Sequence, residues 1–269
     1  MPVTRVSFRD LPAAVRDAVE DAIGPVVSTA PSSGGMNSAV AAKARPPSGT
    51  YFVKALPADH RWVWTQQREA AIAPFIRSVA PELVTHLVVG GWDVLIFEAL
   101  AGHHADYSPG SLDLPKTLEL LDRVSDVAAP RIELRDAGQR LAGYVTREND
   151  LDHFAGDALL HTDWNNTNVI VDEKARIVDW GWATRGAPWL DAGYWIIWLI
   201  AAGHSPRSAE DWANRTRAWA AATGQAVTAF AAANARLWSD IGIGRTDSWT
   251  LALVAASAQW QRHRSGSGQ

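Results

Sequence analysis

Hydrophobic residues follow different periods in the two parts of the chain. Before residue 100, short apolar runs are separated by turn residues, as at 83–89 and 92–98 on either side of Gly90 and Gly91. From residue 191 onward, apolar residues recur at helical spacing and are interrupted at Gly203 and Gly224. This pattern predicts a strand-rich first region and a mainly helical second region.

The first region is predicted to contain two helices. Leu11, Val15, Val19 and Ile23 recur every four residues, which predicts an amphipathic helix over 11–23, with Asp10 as N-cap and Gly24 at its end. A second helix is predicted over 60–79, in which Pro74 is expected to kink the helix or split off its last turn. Five strands are predicted, at 25–30, 39–44, 50–55, 83–89 and 92–98.

The second region is predicted to be built from helices. The predicted segments are 112–128, 132–154, 191–203, 207–223, 225–239 and 247–262. The longest apolar run, 192–203, is shorter than the roughly 20 residues that span a bilayer, so it is predicted to be a buried core helix.

One stretch combines acidic and amide residues at a spacing suited to phosphoryl transfer. Asp163 and Asn168 are separated by four residues, and two short apolar strands joined by a turn then lead to Asp179. The first carboxylate can orient or deprotonate a hydroxyl, and the Asn oxygen and second carboxylate can bind Mg²⁺. In an ordinary hairpin the same residue types would only form turns.

Composition limits the classes of partner. The formal net charge of -4 gives no electrostatic reason to expect nucleic acid. The chain has no cysteine, so disulfide frameworks and thiol chemistry are excluded, and a reducing compartment suits it. The first ten residues lack the apolar core of a signal peptide. We therefore expect a cytoplasmic protein that contacts neither nucleic acid nor membrane.

The stretch 160–181 resembles the aminoglycoside phosphotransferase and choline kinase family, which shares the protein-kinase-like fold. That family usually reads His-Gly-Asp-x-x-x-x-Asn, then two apolar strands, then Ile-Asp-Trp or Ile-Asp-Phe. Here Thr162 replaces the Gly, and 164–167 reads Trp-Asn-Asn-Thr. The resemblance covers nearly the whole chain and implies a two-lobed α+β fold. Its N-lobe, 1–98, would hold a five-stranded antiparallel sheet plus helix, and its C-lobe, 99–269, would be mainly helical, with a hinge near 98–102.

The resemblance also implies roles in the catalytic loop. Asp163 would position and deprotonate the acceptor hydroxyl, and Asn168 and Asp179 would hold Mg²⁺. His161 would support the loop as a scaffold. Asp191 would brace the loop and open a helix, where a carboxylate also satisfies free N–H groups.

Nucleotide contacts are implied in the first lobe. Lys54, in the third predicted strand, would bind the α- and β-phosphates of ATP. Glu69 is the only acidic residue in the predicted helix 60–79 and is its expected ion-pair partner. The backbone of Glu98 to Leu100 would bind the adenine edge. A Gly-bearing phosphate loop would be formed by Ser33, Gly34, Gly35, Asn37 and Ser38, although an ordinary hairpin loop is also compatible with this sequence.

The predicted function is therefore ATP-dependent, Mg²⁺-assisted phosphorylation of a hydroxyl group on a small molecule, an antibiotic or a metabolite. Residues 183–269 contain more arginines than acidic residues, so a polycationic aminoglycoside is not specifically indicated. Trp164 follows the catalytic Asp directly and is expected to face the acceptor.

Three alternatives remain open. Most of the 14 tryptophans lie at or after Trp180, which leaves room for a cation–π box and a choline- or ethanolamine-type kinase. A protein kinase is disfavoured, because no Ala-Pro-Glu segment follows Asp179 and the link to 188–191 is short. The third alternative is a non-catalytic nucleotide-binding protein of the same fold.

Overall fold

The computed structural model of the chain describes residues 3–32 and 38–266. Two units are distinguished by their internal contacts. The first unit is formed by the chain up to Gly102 together with Ile177–Gly181. The second unit is formed by His103–Arg176 and by the chain from Trp182 onward.

The first unit is organised around a five-stranded sheet of order β1-β2-β3-β5-β4, in which every neighbouring pair is antiparallel. The strands are β1 Ser28–Pro31, β2 Val40–Arg45, β3 Tyr51–Pro57, β4 Leu83–Val89 and β5 Trp92–Glu98. The helices are α1 Ala13–Ile23 and α2 Val63–Ile72, with 3₁₀ turns at Phe8–Asp10 and Ala73–Phe75. The predicted five-stranded antiparallel sheet is confirmed.

Helix α1 covers one face of this sheet. Val15, Val19 and Ile23 are buried against apolar side chains of β2, β3 and β5. Gly24, with φ of 94°, ends the helix as the sequence predicts. The prediction of Asp10 as N-cap was wrong, because the helix begins after Pro12 and Asp10 instead closes a capping box on the preceding 3₁₀ turn.

The opposite face of the sheet carries Lys54. Side chains alternate along a strand, so Val53 and Ala55 face the α1 core and Lys54 points to the other side. Helix α2 packs there, where Gln66 donates hydrogen bonds of 2.8 and 3.0 Å to the Asp93 side chain and carbonyl on β5. The predicted helix over 60–79 is shorter than expected, and Pro74 lies in the 3₁₀ turn that follows it.

The second unit is mainly helical. Its helices are α3 Asp113–Ser125, α4 Ala137–Leu141, α5 Leu190–Ala201, α6 Pro206–Ala213, α7 Gly224–Gly242 and α8 Ser248–Gly266. Short strands are β6 His103–His104, β7 Arg135–Asp136, β8 Ala158–Leu160, β9 Val169–Val171, β10 Ala175–Ile177 and β11 Thr184–Gly186. They form two three-stranded sheets, β10-β9-β6 and β7-β11-β8. The 3₁₀ segments are Ala142–Tyr144, Glu148–Phe154, Asn166–Asn168 and Ala218–Ala221, and a further one, Trp180–Trp182, begins in the first unit and ends in the second.

Two predicted helices of the second unit were wrong in extent. The segment 132–154 contains β7, the five-residue α4 and two 3₁₀ segments instead of one helix. Gly138 and Gly143 weaken helical propensity there, and β7 pairs with β11. The segment 207–223 is helical only to Ala213, after which the low-propensity residues Asn214 and Thr216 form turns.

Among the described helices, none combines the length and the apolar character needed to cross a lipid bilayer.

Candidate functional site

Lys54 lies at the centre of a buried group of charges in the first unit. Its Nζ donates to both carboxylate oxygens of Glu69, at 2.9 and 2.8 Å, and to Oδ1 of Asp179 at 3.1 Å. The Lys54 and Glu69 side chains are only 11% and 6% exposed, whereas that of Asp179 is 34% exposed. The structure therefore brings together three residues that the sequence analysis singled out, with one of them open to solvent.

Asp179 is held in an unusual backbone conformation. Its φ is 70°, in the left-handed region that non-glycine residues rarely adopt. The next residue, Trp180, donates its backbone N–H to Glu69 at 3.3 Å and its indole N–H to the carbonyl of Ile177 at 3.1 Å. A Cβ on Gly181 would lie 2.9 Å from that of Thr65 on α2, so this short segment packs closely against the helix that carries Glu69.

The charges of this group are coupled. Burial alone would lower the pKa of Lys54, but the carboxylates of Asp179 and Glu69 outweigh it and raise the pKa above its ordinary value. Burial raises the pKa of the Glu69 carboxyl, and the Lys54 ammonium opposes that rise. The lysine thus stays protonated, and its cation stabilises both carboxylates.

Asp163 and Asn168 form a second group, in the second unit. The Asn168 Nδ2 donates to the Asp163 carboxylate at 3.0 Å and to its backbone carbonyl at 3.2 Å. The Asp163 carboxylate also accepts the N–H of Asn165 at 3.3 Å. Asn165 in turn caps the 3₁₀ turn that carries Asn168 by accepting the N–H of Thr167. Local turns therefore fix the carboxylate and the amide relative to each other.

Asp191 anchors the loop from the first turn of α5. Its two carboxylate oxygens accept the backbone N–H groups of His161 and Thr162, both at 2.9 Å. Burial raises the pKa of the Asp191 carboxyl to about 6, and these two hydrogen bonds oppose the rise. His161 is fully buried, and its Nδ1 accepts the N–H of Asp163 at 3.3 Å. Both residues therefore contact the backbone around Asp163.

Thr162 departs from ordinary backbone geometry. Its φ is 69°, although a β-branched residue is strongly disfavoured in the left-handed region. Holding such a residue there costs about 1–2 kcal/mol. Its hydroxyl accepts a 2.7 Å hydrogen bond from Arg140 on α4, so the conformation is supported from outside the loop.

The donor atoms available to a metal are oxygens. Because the Asn168 Nδ2 is directed at Asp163, its Oδ1 is on the opposite side of the amide. The partly exposed carboxylate of Asp179 is the other candidate ligand. Mg²⁺ prefers oxygen ligands and takes one or two from protein alongside phosphates, so each of these oxygens, within its own unit, is of a type that Mg²⁺ binds. Within residues 3–32 and 38–266, no cluster of three or more His, Cys, Asp or Glu side chains is arranged as an all-protein metal cage.

The other candidate nucleotide residues are less well defined by the structure. Ser33, Gly34, Gly35 and Asn37 lie outside the described residues, and Ser38 is buried just before β2. The N–H groups of Glu98 and Ala99 already donate to the carbonyls of Glu82 and Thr50. A ligand at this segment would therefore have to use other backbone groups, such as those of Leu100.

Trp164 does not have the environment expected of it. Its side chain is completely buried, and its ring packs edge-on near His161, with ring centroids 6.3 Å apart. A buried indole has no surface to offer an acceptor. The structure therefore does not support the predicted contact of Trp164 with the acceptor, and Trp164 is instead part of the packing beneath the loop.

Comparison with known proteins gives matches in structure but not in sequence. No protein-family model and no curated protein matches the chain. Choline kinase LicA from Streptococcus pneumoniae has a similar structure, with a TM-score of 0.63 and 11% identity over 93% of this chain and 98% of that one. A thermostable mutant of aminoglycoside phosphotransferase APH(4)-Ia, in a ternary complex with ADP and hygromycin B, has a TM-score of 0.64 and 12% identity over 95% and 99%.

The chain has the protein-kinase-like fold of the choline kinases and aminoglycoside phosphotransferases. The family resemblance and the α+β fold class predicted from the sequence are thereby confirmed at the level of the fold.

Two contacts of residues that lie close to site residues in the chain were not predicted from the sequence. Arg140 was placed inside a long helix and given no role, yet it bonds Thr162. Gln66 and Asp93 were also overlooked, although Gln66 lies one helical turn before Glu69 and ties α2 to the sheet. The only available signal was Thr162 itself, a bulky residue where the resembling family has Gly.

Proposed function

We propose that the chain is a kinase that transfers the γ-phosphoryl group of ATP, with Mg²⁺, to a hydroxyl group of a small molecule. The observation that carries the proposal is the buried Lys54, held by Glu69 and by the partly exposed Asp179. An exposed structural lysine needs no such partners, whereas Lys54 is buried between two acids, one of which is partly exposed. A lysine that receives phosphates must be held in one place and kept protonated, which this arrangement achieves.

In this function the first unit binds the nucleotide. Lys54 contacts the α- and β-phosphates, and Glu69 keeps the ammonium oriented toward them. The carboxylate of Asp179, and in the second unit the Oδ1 of Asn168, serve as metal ligands. When bound, a magnesium ion would supply charge neutralisation to the transferred phosphoryl group. Backbone groups near Leu100 and the Ser33–Ser38 loop, with its residues Gly34, Gly35 and Asn37, complete the nucleotide contacts.

The second unit supplies the group that acts on the acceptor. Asp163 accepts a hydrogen bond from the acceptor hydroxyl and takes its proton. A bond forms between the acceptor oxygen and the γ-phosphorus, the bond from that phosphorus to the bridging oxygen of the β-phosphate breaks, and ADP leaves. During this step, His161 and Asp191 hold the backbone of residues 161–163 by accepting hydrogen bonds from its N–H groups. Most of the rate enhancement would come from positioning and charge neutralisation.

Known structures of this fold support a nucleotide substrate. The similar structures include LicA with AMP and APH(4)-Ia with ADP or AMP-PNP. A cytoplasmic location, where ATP and Mg²⁺ are abundant, is part of the same proposal. So is the division into a nucleotide-binding lobe, 1–98, and a catalytic lobe, 99–269.

The acceptor is not distinguished by the fold. Choline kinase LicA and the hygromycin-bound phosphotransferase match this chain almost equally, with TM-scores of 0.63 and 0.64. Trp249 packs against both Trp198 and Trp238, with ring centroids 5.7 and 5.8 Å apart, and these partly exposed rings keep a quaternary amine among the candidates. Acceptor screening should therefore include choline and ethanolamine as well as aminoglycosides, amino sugars and nucleosides.

The first test is the thermal stability of the protein with Mg²⁺-ATP and with Mg²⁺-GTP. A ligand present at a hundred times its Kd stabilises the folded state by about 2.7 kcal/mol. We expect stabilisation of the wild type and loss of its Mg²⁺-dependent part in Asp179→Ala. Asp172→Ala is the matched control, because Asp172 is an exposed acid in the turn after β9. Absence of a shift with either nucleotide would contradict the proposal.

The second test separates an enzyme from a non-catalytic nucleotide-binding protein. With an acceptor identified by ADP release, Asp163→Asn should lower kcat about 10³-fold, because an amide cannot take the proton. Its nucleotide-induced stabilisation should equal that of the wild type, since Lys54, Glu69 and Asp179 are unchanged. Nucleotide binding without ADP release for any acceptor would favour the non-catalytic alternative.

A further inference from the structure

Arg140 is positioned to act on the catalytic loop through a neighbouring residue. One of its terminal nitrogens donates to the hydroxyl of Thr162 at 2.7 Å and to the hydroxyl of Thr184 at 2.6 Å. Thr184 and Thr162 are both buried. The guanidinium also lies 5.8 Å from the ring of Trp182. Arg140 is therefore fixed from several sides, unlike a mobile surface arginine.

The sheet β7-β11-β8 connects this arginine to the loop. Thr184 on β11 is paired with Arg135 on β7, which leads into the helix of Arg140. Thr184 is also paired with Leu160 on β8, and the loop begins at the next residue. Asp136 caps the helix α4 by accepting the N–H of Gln139. The same strand thus sets the positions of both α4 and the start of the loop.

Thr162 needs such support because its φ of 69° is disfavoured for a β-branched residue. Its N–H is held by Asp191 at 2.9 Å and its hydroxyl by Arg140 at 2.7 Å. If Thr162 relaxed to an ordinary φ, the chain would enter Asp163 in a different direction. The carboxylate that acts on the acceptor would then be misaimed.

We propose that Arg140 and Thr162 form a clamp that holds the left-handed conformation before Asp163 and so positions its carboxylate. In this clamp Arg140 is a positioning residue that never touches the substrate. The inference rests on the proposed function for its kinetic readout. Its conformational part can be measured without any activity.

The decisive experiment asks whether Arg140 matters only when residue 162 is strained. Glycine adopts positive φ without penalty, so Thr162→Gly removes the need for the clamp. We expect Arg140→Met to lower kcat about tenfold in the wild-type background, since small displacements of a catalytic group have effects of this order. In the Thr162→Gly background the same substitution should change kcat less than about twofold. The KM for the nucleotide should stay the same, because Lys54 and its partners lie in the other unit.

Substitutions at Thr162 test the role of the hydroxyl. Thr162→Ser keeps the acceptor of the Arg140 hydrogen bond and should retain wild-type kcat. Thr162→Val keeps the β-branched shape without the hydroxyl and should lose kcat as Arg140→Met does. The matched control is Arg236→Met, because Arg236 also donates to a backbone carbonyl, that of Tyr144, and to a threonine hydroxyl, that of Thr146. It should leave kcat unchanged.

Thermal denaturation gives a readout that needs no acceptor. It is measured on the four proteins of the double-mutant cycle, which are the wild type, Arg140→Met, Thr162→Gly and the double variant. Arg140→Met should lower the midpoint more in the wild-type background than in the Thr162→Gly background. Equal losses in both backgrounds, in kcat or in the midpoint, would overturn the clamp and leave Arg140 acting through another neighbour such as Asp191. Coupled midpoints in a protein without phosphoryl transfer would support the clamp and defeat the proposed function.

Discussion

The two groups of site residues are held by different forces. In the first unit, Lys54, Glu69 and Asp179 are fixed by direct contacts between charged side chains at 2.8–3.1 Å. In the second unit, the loop around Asp163 is fixed through its backbone, whose N–H groups donate hydrogen bonds to the Asp191 carboxylate and to Nδ1 of His161. The geometry of the Lys54 group therefore depends on attraction between charged side chains, whereas the geometry of the Asp163 loop depends on the conformation of its backbone.

This difference predicts different responses to substitution. Removing the Lys54 cation leaves the buried Glu69 carboxylate uncompensated, so stability and nucleotide binding should be weakened together. The Asp163 carboxylate is held by its near neighbours Asn165 and Asn168, so its loss should affect chemistry far more than folding. Residues that direct the loop backbone should lie between these extremes.

The largest stability effect is expected for Lys54→Met. Methionine keeps the length of the side chain but leaves the buried Glu69 carboxylate without the Lys54 cation, which should lower the free energy of unfolding by about 3–5 kcal/mol. Urea denaturation measures this change. Lys43→Met is the control, since Lys43 is exposed on the adjacent strand β2, and its effect should stay within about 0.5 kcal/mol.

A double variant sharpens this result. If the cost of Lys54→Met comes from the unpaired Glu69 carboxylate, then Lys54→Met with Glu69→Leu should be more stable than Lys54→Met alone. Additive losses would show that the group is held by packing instead of charge, and the contrast with the second unit would disappear.

An intermediate effect, dependent on pH, is expected at Asp191. Its pKa is about 6 in the folded protein, above the ordinary 3.8. The folded state thus holds this proton more tightly, and its stabilising contribution is complete below pH 4 and lost as the pH rises to about 6. The free energy of unfolding of wild type minus that of Asp191→Asn should fall by about 3 kcal/mol over this range.

The measurement is urea denaturation of both proteins at intervals from pH 4 to pH 7. Taking the difference between the two cancels the titration of groups that they share. A difference that does not vary with pH would mean that the carboxyl titrates normally. The hydrogen bonds from His161 and Thr162 to the Asp191 carboxylate would then form without a penalty for burying its charge.

Local sequence patterns were sufficient for most elements of the first unit, although not for the start of α1 or the end of α2. The hairpin around Gly90 and Gly91 and the four-residue period of α1 depend on turn residues and amphipathic spacing, which neighbouring residues determine. The pairing of Lys54 with Glu69 was implied by the family resemblance, and Glu69 was chosen because it is the only acid in the predicted helix 60–79. The contact of Lys54 with Asp179, 125 residues away, was not predictable from spacing.

The segment before the catalytic loop could not be predicted in the same way. Leu134, Ala137, Leu141 and Val145 have helical spacing, but only Ala137–Leu141 is α-helical. Strand pairing between β7 and β11 overrides the local preference, and that partner lies far along the chain. Arg140 reaches Thr162 only because of this non-local pairing, which is why the clamp was invisible in the sequence.

The smallest effect is expected at Gly186, at the end of β11. A Cβ there would lie 2.7 Å from that of Ala137 on α4 and 2.8 Å from Cδ1 of Leu160 on β8, so the strand before the loop and the helix of Arg140 approach closely only because residue 186 has no side chain. Gly186→Ala should cost about 1–3 kcal/mol of unfolding free energy through overpacking.

Gly186→Ala should also lower kcat, because it moves the supports of the loop, while nucleotide binding by the first unit stays at the wild-type level. Gly143→Ala, whose added Cβ meets open space, is the control and should change stability by less than about 0.5 kcal/mol. A loss of nucleotide binding in Gly186→Ala equal to its loss of kcat would show that the two groups are not independent. Loss of kcat without loss of nucleotide binding would show that the path of the backbone positions the Asp163 carboxylate, independently of the charged group around Lys54.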